Sequence, residues 1–333
     1  MRVITYLTHP GPGLIIQGMD EQKLPTTLQE AIRYFSEPDV CTSFVASLRW
    51  PEGPVCAHCG GREHSYLTTR RIWKCKSCRK QFSVRTGTIF EDSPIPLDKW
   101  MAAIWLIANS KNGISSYELA RALGLTQKST WFMLHRIRLA MQTGSFDKAS
   151  GEVEVDETFI GGLARNMHVS ARRAKITGRG GTDKTMVVGV LERGGKIRAS
   201  IVANRTAEKL QAHVRANVEL GSDLYTDALG AYVGLDGDYT HAVVDHAKLY
   251  VDGHVSTNGV ENFWSLLKRA LKGTYVSVEP YHLFRYLDER AFSFNERKST
   301  DLGRFTLVLR MVTGRRLTYD ELTGKGRQSE TAS

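Results

Sequence analysis

The sequence has no long apolar run. Its longest, WMAAIWLIA over residues 100–108, is far short of the ~20 residues a membrane helix needs. The opening MRVITYLTHPGPGLIIQ also lacks the basic, apolar and cleavage-site order of an export signal. A cytoplasmic protein with no membrane partner is expected, acting at the nucleoid if it handles DNA. Cysteine is scarce as well, with five in 333 residues, and four of these fall into two CxxC pairs. That usage excludes a disulfide scaffold and points to metal binding in a reducing compartment. Cys41, the odd one, reads as a buried free thiol. No internal repeat is present. Neither sign of charge dominates strongly: Lys plus Arg number 45 and Asp plus Glu 35, a net +10 that solubility alone would explain.

The placement of the charge is more informative than its sum. Arg165, Arg172, Arg173, Lys175, Arg179 and Lys184 crowd one glycine-containing stretch, and Arg136 and Arg138 lie in a helical pattern. Clustering of this kind favours a nucleic-acid partner. Hydrophobic residues, at 41%, suffice for more than one core. The chain divides into a helical lead-in with a cysteine module (26–90), a helical region (91–143) entered through Pro94 and Pro96, an α/β region (152–320) and a short tail (321–333) expected to be disordered. Residues 144–151 read as the linker. Within the cysteine module, KQFSVRTGTIF reads as β-rich.

Cys56-Ala-His-Cys59 and Cys75-Lys-Ser-Cys78 are separated by fifteen residues. Two such knuckles complete a closed tetrahedral site, so one structural zinc ion is expected here, with DNA contact rather than catalysis. His58 and His64 read as surface residues. The polar sequence between the knuckles offers no core of its own, so metal would supply the folding energy.

Residues 114–141, ISSYELARALGLTQKSTWFMLHRIRLAM, predict a helix-turn-helix. Leu119, Ala120 and Leu123 pack the first helix, Gly124 makes the turn, and Thr126 caps a second helix carrying Trp131, Leu134 and Ile137. Gln127, Lys128 and Ser129, at the N-terminus of that second helix, are then placed to enter a major groove.

The acidic residues suggest chemistry. Asp156 lies in EVEVDETFI, a strand pattern with Val153 and Val155 facing one way and Glu154 and Asp156 the other. Asp227 ends the apolar strand SDLYTD. Glu261 opens an amphipathic helix, with Lys268 seven residues on and therefore within about 20° of it around the helix and roughly 10 Å along the axis. Three acids that hold divalent metal, with a cation beside them, suit phosphodiester chemistry. Glu154, Glu157 and Asp223 are rival ligands. Asn258 with Glu261 also fits a pair that merely starts the helix.

LRWPEGPVCAHCGG, WKCKSCRKQFSVRTGTIFEDSPIPLDKWMAAIWL, VEVDETFIGG, KTMVVGVLER, YTDALGAY and NGVENFWSLLKRALKGTY, in this order with the helix-turn-helix and YLDERAFSFNER, resemble bacterial insertion-sequence transposases of the DDE type. The group it resembles bears an N-terminal zinc ribbon and helix-turn-helix. The resemblance spans roughly residues 26–298. It implies a multidomain α/β chain with a ribonuclease H-like mixed sheet, and acids on the first strand, the fourth strand and a later helix. These match Asp156, Asp227 and Glu261, with Asn258 the alternative third ligand. The implied activity is cleavage of element ends and joining of their 3′ hydroxyls to target DNA, with two magnesium or manganese ions as cofactors. Lys268 would neutralise a phosphate, and His254, Asn258 and the basic stretch carrying Arg172, Arg173 and Lys175 would orient the strands. Partners would be terminal repeats, target DNA and further copies of the chain assembled on DNA. A zinc-ribbon and helix-turn-helix regulator with an inactive nuclease-like domain is the alternative, and a nuclease that only hydrolyses is a third reading.

Overall fold

The computed structural model describes residues 24–142, 147–161, 168–170, 184–227, 230–244 and 256–324. Two helices lead in, α1 (Leu28–Tyr34) and α2 (Pro38–Arg49), the first started by a capping box between Thr27 and Glu30. A three-stranded antiparallel sheet follows, in the order β1 (His64–Leu67), β2 (Ile72–Cys75), β3 (Gln81–Phe82). The stretch after Phe82, expected to be β-rich, is mostly turns. Next come α3 (Leu97–Asn109), α4 (Ser116–Leu123) and α5 (Gln127–Met141). Gly124 ends α4 with φ +60°, a left-handed cap suited to glycine, and the Thr126 hydroxyl accepts from the Ser129 amide to start α5.

One apolar core joins these pieces. Phe35 and Phe44 of the lead-in, Trp73 and Phe82 of the small sheet, Trp100 and Ile104 of α3, and Leu134 and Ile137 of α5 all belong to it. Within the small sheet Trp50, Trp73 and Phe82 pack ring on ring at 5.2–5.9 Å. The cysteine module therefore has an aromatic core that its polar knuckle sequence does not suggest.

From residue 152 the chain builds a five-stranded mixed sheet, with β4 (Glu152–Ile160), β5 (Thr185–Glu192), β6 (Ile197–Val202), β7 (Asp223–Asp227) and β8 (Thr240–Val244). Their order is β6-β5-β4-β7-β8; β4, β5 and β6 run antiparallel, while β4, β7 and β8 are parallel. Helix α6 (Ala207–Asn217) covers one face, sending Leu210 and Val214 onto Val153, Val155, Val188 and Val190. The other face carries α7 (Asn258–Ala270) and α8 (Leu283–Asn295), whose Val260, Phe263, Leu267 and Leu287 meet Val187, Leu191 and Ile197. A sheet covered on both faces explains the continuous apolar run of β5.

After α8 the chain returns to the first core. Helix α9 (Asp301–Arg310) packs against α2, α3 and α5, with Phe305 beside Phe35 at 5.4 Å. Arg315 then donates to the carbonyls of Leu139, Ala140 and Gln142, placing a cation on the free C-terminal carbonyls of α5. The short α10 (Tyr319–Thr323) lies against the other end of α5. Among the described residues no helix is long and apolar enough to cross a membrane.

Candidate active site and metal centres

In the sheet domain, register pairs Val155 with Thr226 across parallel β4 and β7. Asp156 and Asp227 are the next residues on each strand, so the two aspartates meet where β7 ends. Carboxyl ends of parallel strands at a change of direction are where such sheets bind ligands. One oxygen from each of Asp156, Asp227 and Glu157 falls within 4.8 Å of the others. Burial, reinforced by the charges of Glu157 and Asp227, pushes the Asp156 carboxyl up to about 7. Burial and Asp227 also raise Glu157. A divalent cation would relieve this crowding, and the all-oxygen donor set suits magnesium or manganese.

The surrounding residues orient the acids. The indole Nε1 of Trp264, on α7, donates to Asp156 Oδ2 at 2.9 Å. This interaction needs α7 close to the sheet, and Gly189 permits it. Gly189 stands opposite Asp156 on β5, and a Cβ there would lie 2.7 Å from the Trp264 ring. Glu157 is held by Arg205 through Oε1 at 2.9 Å and by the Tyr232 hydroxyl through Oε2 at 2.9 Å. Glu154 points toward α7, as its alternation with Val153 and Val155 predicts. Its Oε2 accepts from the Val260 amide at 3.0 Å and its Oε1 from Arg193 at 2.9 Å. Glu154 is thus an acceptor for the start of α7, and Thr257 rather than Asn258 stands at the N-cap, so the alternative reading of Asn258 and Glu261 as a capping pair does not describe this helix start. Asp223 sits at the far end of β7 from Asp227, about 13 Å away by strand rise.

Glu261 lies on the first turn of α7, exposed, with its Oε1 accepting from the Thr257 hydroxyl at 3.3 Å. It stands outside the set that closes within 4.8 Å among the described residues. Asn258 and Lys268 are exposed on the same helix. Arg165, Arg172, Arg173, Lys175, Arg179 and His254 lie outside the described residues.

The four cysteine thiols converge. Cys56 and Cys78 Sγ are 3.7 Å apart, Cys59 and Cys75 Sγ 3.6 Å, and all four lie within 4.8 Å of one another. Four sulfurs at about 2.3 Å from one tetrahedral zinc stand about 3.8 Å apart, so the cluster fits that ion. Within the cluster the Cys78 backbone amide holds the Cys75 thiol down to about 6, while Cys59, lowered by the Gly61 amide, is raised overall to about 12 by the neighbouring sulfurs, a crowding of thiols that a cation would relieve.

Helix α5 differs from expectation. Gln127, Lys128 and Ser129 sit on its first turn; Gln127 Nε2 donates to Ser116 Oγ at 2.9 Å, and Lys128 Nζ lies 4.8 Å from the Tyr319 ring centre. Beyond that turn the helix is enclosed. Arg136 is 4% exposed and donates to the carbonyls of Leu317, Ile89 and Glu91, so it braces the fold and cannot reach a groove. Arg138 is buried too, paired at 2.7 Å with Glu289 of α8. Position on a second helix suggests outward cations; packing on several sides turns them inward.

A zinc ribbon followed by a ribonuclease H-like sheet with adjacent aspartates defines a class of nucleic-acid-handling protein. Residues 148–295 match the ISXO2-like transposase domain, and residues 37–81 match the transposase zinc-ribbon domain. The chain belongs to the insertion-sequence transposases that carry these two domains. It is similar to an uncharacterized protein in transposable element ISH50 of Halobacterium salinarum, 29% identical over 290 residues that span 83% of this chain and 96% of the relative. Transposase domains imply DNA as the partner.

Proposed function

We propose that the protein cuts the ends of its insertion sequence and joins the freed 3′ hydroxyls to target DNA. The observation that carries this reading is the meeting of Asp156, midway along β4, with Asp227 at the end of the adjacent parallel β7, in a site crowded with negative charge. Asp156 and Asp227, with one further carboxylate, would hold divalent ions, which when bound activate water and neutralise charge at a phosphodiester. In the first reaction water adds to phosphorus and the element's 3′ oxygen leaves with a proton. In the second that 3′ oxygen attacks a target phosphorus and the target's own 3′ oxygen leaves, so one ester replaces another.

The chain's own residues prepare these steps. Trp264 fixes the Asp156 carboxylate, Lys268 offsets phosphate charge along α7, and the first turn of α5 with the ribbon meets DNA away from the chemistry. Glu261 is our third ligand. Glu157 is closer, yet both of its oxygens already accept hydrogen bonds from Arg205 and Tyr232, which suits a positioning role.

The test uses purified protein, a labelled duplex carrying the repeats that flank the gene, a target plasmid and Mg2+. Asp156→Asn and Asp227→Asn should each abolish nicking and joining while leaving end binding intact. Retained joining in either variant would refute the site. Glu261→Gln, Glu157→Gln and Asn258→Ala separate the third ligand: total loss of chemistry should attend Glu261→Gln and only partial loss the other two. Nicking without joining by the unaltered protein would instead indicate a hydrolytic nuclease.

A further inference from the structure

The described residues form a second polar feature, separate from the carboxylates. A cleft of roughly 570 Å³ opens between α7, the end of α3 with its following loop, α8 and the start of α9. Its lining includes Lys111, Arg269, Arg290, Arg297 and Arg304, against a single carboxylate, Asp301. Arg304 takes that carboxylate at 2.5 Å. Lys111, Arg269 and Arg297 are all exposed, and Arg297 leans on Phe294, donating to its carbonyl at 2.6 Å, rather than on a carboxylate.

The floor of the cleft adds charge that the fold does not cancel. Arg290 is 5% exposed; one of its nitrogens donates to the Lys111 carbonyl at 2.6 Å, while Nε and Nη1 have no hydrogen-bond partner among the described residues. The nearest carboxylate, Glu289, is 3.7 Å from Nη1 and is already bonded to Arg138 at 2.7 Å. Two buried guanidiniums thus share one acid. A buried cation left short of partners is costly unless an anion approaches. The cleft therefore carries an uncompensated positive field, and its chemical match is a phosphodiester.

The position of the cleft specifies which phosphodiester. Helix α7 starts over Glu154 and touches Asp156 through Trp264 in its second turn, and its later turns form the cleft wall. Arg269 is eight residues beyond Glu261, about 12 Å along the axis. That spans about three or four nucleotide steps of one strand. We infer that this cleft grips the sugar–phosphate backbone of a DNA strand three or four nucleotides from the bond being cut. The inference rests on the DNA-processing reading above, and it assigns to Arg269, Arg297 and Lys111 a backbone role that carries no base specificity.

The experiment measures DNA affinity of the full chain against salt concentration by fluorescence anisotropy, using the element-end duplex. Removing one cation that neutralises a phosphate lowers the slope of log affinity on log salt by about 0.9. Arg269→Gln should lower it by about one and the double variant with Arg297→Gln by about two. Arg33→Gln, an equal charge change on the exposed face of α1, should leave it unchanged. Circular dichroism melting checks that the variants fold. A neutral methylphosphonate placed at the third or fourth nucleotide should reproduce the affinity loss, and should have little further effect on the double variant. If the unaltered protein binds and cuts DNA while the double variant keeps its affinity and slope, the cleft is wrong and the DNA-processing reading stands. Full additivity of methylphosphonate and double variant would likewise overturn it. Salt-insensitive or absent DNA binding by the unaltered protein would overturn both.

Discussion

Asp156 lends itself to a thermodynamic test that needs no DNA. Its carboxyl is moved from an ordinary 3.8 to about 7 by burial, with Glu157 and Asp227 adding to the effect. The folded protein therefore binds a proton there more tightly than the unfolded chain. The resulting stabilisation is full below pH ~4 and is lost as pH rises toward 7. Between pH 5 and 8 the loss from this one group comes to about 2–3 kcal/mol. Urea unfolding followed by circular dichroism, in metal-free buffer, would measure it as a difference between the unaltered protein and Asp156→Asn. The asparagine keeps an oxygen for the Trp264 indole but has no proton to lose. Buried groups that do not face Asp156 drop out of the difference. Asp288, raised to about 6 by burial, acts in the same direction in both proteins, and His135, pushed down to about 2 by burial, acts oppositely in both. Mg2+ at one hundred times its dissociation constant should restore about 2.7 kcal/mol at pH 8 in the unaltered protein, and much less in the variant. Parallel pH profiles for the two proteins, or equal stabilisation by Mg2+, would refute the assignment of Asp156 as a crowded metal ligand.

Cys56→Ser or Cys75→Ser should abolish the one zinc per chain measured by metal analysis, and should expose Trp50 and Trp73, read as a red shift in tryptophan emission while the sheet domain stays folded. Glu289→Gln should destabilise the protein by about 3–5 kcal/mol in urea, because it strands Arg138 in an interior with no counter-charge. Gln127→Ala with Lys128→Ala should weaken binding to element ends more than to random duplex in competition assays; equal loss on both would place these side chains on the backbone.

Features set by local spacing are legible in the sequence. Two CxxC knuckles name four thiols that must meet, and the structure brings all four together. Asp156 and Asp227 stand out because an acid within or at the end of an apolar strand is unusual. Their adjacency depends on strand order, which alternation alone does not give and family resemblance supplies. The partnerships around them run over long separations: Trp264 to Asp156 spans 108 positions and Val260 to Glu154 spans 106. No pattern within a helix reveals that its indole will be a hydrogen-bond donor to a distant strand. Glu154 shows the same effect in reverse, since an acid that sequence ranks as a possible ligand is consumed in starting α7.

Arg136 and Arg138 depart from expectation for a different reason. A helix-turn-helix predicts a second helix with one open face, and cations on it are then taken as groove contacts. Yet TWFMLHRIRLAM carries apolar residues around most of its circumference, the mark of a helix buried on several sides. With α3, α8 and α9 packed around it and Arg315 on its last carbonyls, only the first turn of α5 remains open. That turn carries Gln127, Lys128 and Ser129, and Lys128 rests on Tyr319 of α10. The same burial that removes Arg138 from the surface ties α5 to α8 through Glu289, and Glu289 in turn receives the Tyr275 hydroxyl just beyond α7. Helix α5, α8 and the chain just beyond α7 are therefore joined through one buried carboxylate.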